Sequence, residues 1–392
     1  MKIVKLEAFP VRVPYRHVEQ SSVIARAGVT DVIVKLTADN GLVGWGETTR
    51  AADAAGIASA VEAMAPLALG RDPWEREAIH KDLYVLGLWN FQPMTGNFAY
   101  AGIDMAMWDL CGKEAGQPLY RLLGGALRET VDYFYYLHWG DAADIEVQAR
   151  EGVARGHTVF YLKVGVDAAA EAAMLAALRR AIGPSRKIRI DANMAWSVPE
   201  AARILADWHA SFDIDFVEAP VEIDPVENML ALQRRVDVPL CANEGLWRAA
   251  DAYRLIKSRC CDYLCFSPYW VGSIGRFHAL AWAAHLEGLL VCKHTHGELG
   301  LAAAAGQHLM LAAPNAAMGH QQTAQMMEDD ILVERLPIVD GASWGRIEGP
   351  GLGVSVDEAK LGRYHDAYRR EGEFPPYGDR FPVSTEAIEG KI

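Results

Sequence analysis

The feature that most constrains this 392-residue chain is a long repeat of polar strand ends. From about residue 130 onward, short apolar runs of strand type alternate with longer Ala-rich or amphipathic stretches of helix type. The runs are VDYFYYLHW (131–139), TVFYLKVG (158–165), KIRIDAN (187–193), DFVEAP (215–220), PLCANE (239–244), DYLCFSP (262–268), LLVCKHTH (289–296) and AAMGHQ (316–321). Lys163, Asp191, Glu218, Glu244, Ser267, His294 and His320, each at the polar end of its run, are separated by 28, 27, 26, 23, 27 and 26 residues. Each step is the length of one β-α unit. Strands covered on both faces are apolar throughout, and here polar residues collect only at the C-terminal ends. Eight such units specify a (β/α)8 barrel with its active site at the C-terminal rim of the strands. A doubly wound open sheet would carry a Gly-rich phosphate loop after its first strand, and VGVD (164–167) is not one.

The flanks read differently. Residues 1–125 open with an antiparallel pattern, MKIVKLEAFPVRVP and DVIVKLTADNGLVGWGE with Asp39-Asn40-Gly41 as the turn, and continue in helical stretches, giving an α+β module. The barrel is assigned to 126–335, and the turn-rich, polar segment 336–392 returns to the first module. With 51% apolar and 23% charged residues the chain is that of a folded enzyme-sized protein. Net charge is −13 with no basic block, which excludes a nucleic-acid footprint. No apolar run reaches the roughly 18 to 20 residues of a membrane span, and the start lacks the marks of a signal peptide. Cys111, Cys241, Cys260, Cys261, Cys265 and Cys292 contain no CxxC pair and read as buried thiols of a cytoplasmic protein, without disulfides or zinc.

Asp191, Glu218 and Glu244 end consecutive strands, so their carboxylates converge at one rim. Three like charges at contact distance repel, whereas a hard divalent cation satisfies them with oxygen ligands, and Mg2+ is the natural occupant. That cation lets a net-negative protein hold a negative substrate. Asn193, two residues after Asp191, could bind the metal's water or the substrate. Lys163 and His294 approach the same centre from opposite sides. A carboxylate held on the cation has its α-proton acidified, and a lysine beside the cation should have a lowered pKa, as a base requires. The alternative for Lys163 is a salt bridge to Asp191 or Glu218. Tyr161 shares the face of Lys163 and could hold the lysine or donate to a substrate oxygen. His296 and His320 are candidates for substrate hydroxyls, and Lys293 should point away from His294. Trp89, Trp139, Trp247 and Trp270 could wall a pocket.

GLVGWGE (41–47), GIDMAMWDLCGKEAGQPLYRLLGG (102–125), YLKVG (161–165), DANMAW (191–196), VEAPV (217–221), NEG (243–245), KHTHGELGLAAA (293–304) and GPGLGV (349–354) together resemble the enolase superfamily, mandelate racemase-type subgroup, over nearly the whole length. The resemblance implies a modified (β/α)7β barrel capped by an α+β domain made from both chain ends, Mg2+ on Asp191, Glu218 and Glu244, and proton abstraction alpha to a carboxylate. Three positions depart from the family pattern. Tyr161-Leu162-Lys163 stands where Lys-x-Lys is frequent, Ser267 where an aspartate orients the seventh-strand histidine, and His320 where the eighth strand carries a glutamate. Sixth-strand lysine bases, as in muconate cycloisomerases, are absent, in keeping with the mandelate racemase-type assignment.

The expected reaction is dehydration of an acid sugar to a 2-keto-3-deoxy acid. Lys163 or Tyr161 takes the α-proton and His294 protonates the departing β-hydroxyl. Cap loops around 15–30 and 48–52, carrying His17, Glu19, Gln20, Ser21 and Arg50, close over the distal hydroxyls. A racemase, epimerase or lactone cycloisomerase is the alternative, and a non-catalytic acid-sugar binder the third. The protein is expected to be a homo-oligomer.

Overall fold

The computed structural model describes residues 1–22, 25–51, 53–87 and 95–375. Two-residue alternation at the N-terminus builds β1 (Ile3–Gln20) and β2 (Ala25–Ala38), paired antiparallel from Ile3↔Ala38 to Gln20↔Ala25. β3 (Val43–Thr49) adds to β2 across the Asp39-Asn40-Gly41 turn, where Gly41 adopts φ 86° and Asn40 Oδ1 accepts from the Leu42 N–H at 3.1 Å. The cap segment 15–30, expected as loop, is mostly strand. Pairing continues through Glu19↔Arg26, because mutual hydrogen bonding satisfies the extended backbone that a loop would leave to water. Trp89 lies outside the described residues.

The helices of this part are α1 (Ala54–Ala68, opened by the Asp53 side chain), α2 (Arg76–Gly87), α3 (Thr95–Ala115) and α4 (Leu119–Leu122). α3 is apolar nearly all round and buried from Gly96 to Gly112, with the three-stranded sheet against it. The approach needs a bare backbone: a Cβ on Gly46 would stand 2.0 Å from the Gly102 carbonyl.

β4 (Thr130–Asp132) precedes a seven-stranded parallel sheet of β5 (Tyr135–Leu137), β6 (Val159–Lys163), β7 (Lys187–Asp191), β8 (Ile214–Glu218), β9 (Leu240–Ala242), β10 (Tyr263–Phe266) and β11 (Leu290–Lys293), adjacent in chain order. The eighth run forms single parallel bridges, Val291↔Ala316 and Tyr133↔His320, and so lies between β11 and the first barrel run. The run 131–139 serves twice. Its start, β4, pairs antiparallel with β12 (Ser343–Gly345), and only its second half joins the parallel sheet.

Crossovers run through α5 (Ala142–Ala154), α6 (Ala168–Ile182), α7 (Val198–Phe212), α8 (Glu227–Gln233), α9 (Ala249–Ser258), α10 (Pro268–Val271), α11 (Ile274–Leu286) and α12 (Gly300–Ala312). Local chemistry sets their starts: Asp141 and Asp144 form a reciprocal capping box on α5, and Asp167 caps α6. α7 buries Ala201, Ile204, Leu205 and Trp208, one stripe at helical spacing. Burying a large apolar side chain of this kind stabilises the fold by about 1.5–3 kcal/mol.

α13 (Glu358–Glu371) returns to the first sheet and packs on β1. Lys35 binds Glu358 at 2.9 Å, the Phe374 N–H donates to Thr30 Oγ1 at 3.0 Å, and Arg12 lies 4.0 Å over the Phe374 ring. All six cysteines are buried and free. No described helix is long and apolar enough to cross a membrane.

Candidate active site

The C-terminal ends of β6, β7 and β8 stand in register: Lys163 beside Asp191, and Asp191 beside Glu218. Glu244 departs from the expected alignment. The partner of Glu218 is Cys241, and β9 ends at Ala242, so Glu244 lies three residues beyond the register position. Asn193 bridges that offset. Its N–H donates to Asp191 Oδ1 at 2.8 Å, its Nδ2 to Glu244 Oε1 at 3.1 Å, and its Oδ1 accepts from Lys163 at 3.0 Å. Asn193, Met194 and Ala219 adopt φ of 46°, 62° and 40°, a left-handed conformation that costs such residues about 1 kcal/mol or more and turns the chain sharply after both acids.

Tyr161 is buried and donates to Asp191 Oδ2 at 2.6 Å, so it holds a carboxylate, where the sequence pointed to the lysine or a substrate oxygen. Lys163 Nζ binds Asp191 Oδ2 at 2.5 Å. Burial disfavours its charge, but the Asp191 and Glu218 carboxylates outweigh burial and push its pKa up to about 12. The expected lowering is that of a lysine beside a cation, which would take up these same carboxylate charges. Glu218 and Glu244 are raised by burial and further by the Asp191 charge. Gln321, which sequence reasoning passed over, donates its amide to both Glu218 oxygens, and its own oxygen accepts from the Thr295 N–H at 3.2 Å. It follows His320 by one position, and the two-residue alternation of a strand assigns it the opposite face.

Among the described residues no three His, Cys, Asp or Glu side chains converge as a ready-made metal cage; the Lys163 ammonium and Asn193 amide lie between Asp191 and Glu244. The donor set nevertheless fits a hard divalent ion. All three candidates are carboxylates, Glu244 Oε2 is buried without a hydrogen-bond partner among the described residues, and the Lys163 charge does not offset the raising of Glu218 and Glu244 by burial and Asp191.

On the far side, the His294 ring stacks on Trp270 at 4.4 Å. Among the described residues its Nδ1 has no hydrogen-bond partner, so Ser267 does not orient it, and burial holds it well below the usual imidazole range. His296 is half-buried; its N–H donates to Tyr269 Oη at 2.9 Å and its carbonyl accepts from Arg26 at 2.8 Å. Arg26 also binds Glu19 at 2.5 Å, and the Glu19 charge is felt at Lys163, so the β1–β2 hairpin covers this centre. Arg50 is ion-paired with Glu373 at 3.0 Å, and its charge helps depress His296. His320 is not brought to the carboxylates. Its Nδ1 accepts from the Lys293 N–H at 3.0 Å and its ring meets Tyr133 edge-on, so it serves the wall that closes the barrel. His17 is exposed and pairs with His138 at 4.7 Å. Lys293 is buried against Glu298.

The signature described as "Enolase C-terminal domain-like" matches residues 144–360, and that of the mandelate racemase / muconate lactonizing enzyme N-terminal domain matches 4–124. The chain belongs to the mandelate racemase / muconate lactonizing enzyme family. The reaction class of this enolase-superfamily enzyme is abstraction of the proton alpha to a carboxylate. A D-galactonate dehydratase family member from Streptomyces bingchenggensis is 29% identical over 89% of this chain and 95% of its own. An enolase from Streptomyces coelicolor is 31% identical, covers 95% of this chain and 99% of its own, and superposes with a TM-score of 0.86. A dipeptide epimerase from Enterococcus faecalis, solved with Mg and the dipeptide L-Leu-L-Tyr, is 25% identical over 91% of this chain and 100% of its own, with a TM-score of 0.84.

Proposed function

We propose that this family member is a Mg2+-dependent acid-sugar dehydratase. The observation that carries the reading is the unequal support of its two proton carriers. Lys163 is braced by Asp191 and Asn193, whereas His294 Nδ1 has no hydrogen-bond partner among the described residues and its ring packs against those of Trp270 and His296. Racemisation or epimerisation by two bases requires each to abstract a proton, and an unsupported, neutral histidine is a weak base. A dehydratase needs one base and one proton donor.

Asp191, Glu218 and Glu244 would hold the cation. When bound, it stabilises the negative charge that develops on the substrate carboxylate. With the Asp191 and Glu218 charges shared with the cation, Lys163 would lose the support that keeps it protonated and would receive the α-proton at Nζ, while Tyr161 and Asn193 keep Asp191 and Glu244 in place around it. His294, entering this step as its imidazolium, which burial makes a strong acid, would hand that proton to the departing β-hydroxyl, and its burial against Trp270 keeps water from competing. Relatives include dehydratase family members on one side and epimerases, a racemase and a cycloisomerase on the other, so one experiment must separate lyase from isomerase. Incubating mono- and diacid sugars with enzyme and Mg2+ in D2O should yield a keto acid that reacts with semicarbazide. Deuterated substrate and its epimer without keto product would replace this reading by an isomerase. A homo-oligomeric state completes the proposal and is measured by sedimentation.

A further inference from the structure

Among the described residues His294 has no hydrogen-bond partner at Nδ1, and Ser267 stands where the family pattern has an orienting aspartate. Its ring is therefore placed by packing. The Trp270 indole lies over it at 4.4 Å and 30°, and the His296 ring approaches at 5.9 Å. The Trp247 indole in turn meets Trp270 at 4.8 Å and 66°. Apolar packing is non-directional, so a stacked ring keeps its place only where its backbone is held.

One side chain of the cap holds the backbone of both indoles. Asn97, in the first turn of α3 and buried, donates its amide to the Trp270 carbonyl at 2.6 Å and to the Trp247 carbonyl at 3.0 Å. These carbonyls belong to different barrel loops: Trp270 lies on α10, after β10, and Trp247 follows the end of β9 and Glu244. An amide N–H pair can serve two acceptors at once, which no apolar side chain can. The approach is close, for a Cβ on Gly272, just after α10, would stand 2.9 Å from Asn97 Oδ1. Farther along α3, Asp104 accepts the N–H of Ile274, so the same helix holds the chain on both sides of this turn. An amide buried on an otherwise apolar helix is costly unless hydrogen-bonded, and these two carbonyls account for it. Lys163, held by Asp191 and Asn193, does not share these contacts.

We propose that Asn97 is a positioning residue of the reaction: from the cap it fixes the Trp270 indole against His294, and so supplies by packing the orientation that an aspartate would supply by a hydrogen bond. The inference rests on His294 as the proton donor of the proposed dehydratase. It makes proton delivery, and not abstraction by Lys163, the step that depends on how the cap is seated.

The test measures keto-acid formation and α-deuterium incorporation with Mg2+ in D2O for wild type, Asn97→Leu, Trp270→Phe and the double variant. Asn97→Leu keeps a branched side chain and removes both donors. It should lower kcat for keto acid about 10–100-fold, as for a lost supporting residue, with KM and α-exchange close to wild type. A residue serving the fold alone would lower both rates together. Trp270→Phe should show the same split, and the double variant should lose no more than the worse single one, because both act through one ring. Equal falls in the two rates, an unchanged kcat or additive losses overturn the proposal, while keto acid from wild type leaves the dehydratase reading standing. If melting shows Asn97→Leu to be unfolded, Asn97→Ser, which keeps one donor, is judged by the same criteria. If wild type epimerises and exchanges without keto acid, the dehydratase reading falls. The positioning role then stands only if Asn97→Leu slows exchange chiefly in the epimer whose exchange His294→Asn abolishes, and equal slowing of both epimers overturns it. Absence of both keto acid and exchange with every acid overturns both.

Discussion

Gln321 donates one amide to both carboxylate oxygens of Glu218, at 2.9 and 2.7 Å. A ligand carboxylate held in this way presents a fixed face to a metal, and loss of such outer partners lowers metal affinity roughly 10–100-fold. Gln321→Leu should therefore weaken Mn2+ binding by about that factor, read by the paramagnetic resonance of free Mn2+, with little change in melting temperature. Unchanged affinity would show that Glu218 is positioned without it.

Lys163→Ala should lower turnover by about 10²–10⁴-fold, the range for a general base, and abolish α-deuterium incorporation while Mn2+ still binds. His294→Asn should retain exchange and lose keto-acid formation. Wild-type exchange in Lys163→Ala would assign the base elsewhere.

Asp104, on α3, accepts the Ile274 N–H at 2.8 Å, and burial raises its carboxyl pKa to about 7. Its unfolded value is near 3.8, so between about pH 4 and 7 the folded chain binds the extra proton. Stability from this group is complete below pH 4 and declines as pH rises to 7, by a few kcal/mol at most. Asp104→Asn, always uncharged, should remove that component. Denaturant titrations of both proteins at pH 5 and 8 should show a smaller drop in the variant; equal drops would contradict it.

Glu47 joins the first sheet to the barrel. Its carboxylate accepts the N–H of Leu299 at 2.6 Å and of Ala302 at 2.9 Å, at the start of α12. Glu47→Ala leaves two buried donors without partners and should cost about 2–4 kcal/mol, seen as a lower urea midpoint.

The barrel was legible because the polar strand ends recur at a near-constant step, and that step also put Lys163, Asp191 and Glu218 side by side. The step could not show that β9 stops at Ala242 while its carboxylate comes two residues later, since spacing counts residues and not where pairing ends. The antiparallel pattern of the cap was legible, but the far half of its first hairpin, 15–30, reads as loop because His17, Glu19, Gln20 and Ser21 are polar, even where pairing satisfies the backbone. His320 was assigned by its place at a strand end, but its ring faces the backbone of β11 while its neighbour Gln321 faces the carboxylates. Only the pleat distinguishes those two.

The return of α13 to β1 has a consequence for synthesis. β1 is covered by a helix from the other flank of the barrel, and the Thr30 hydroxyl waits for Phe374, 344 residues further along the chain. A nascent chain halted before residue 358 would have its barrel segments in hand but leave one side of β1 bare. Completion of the cap, and with it the roof over Lys163, would then wait until synthesis has passed α13.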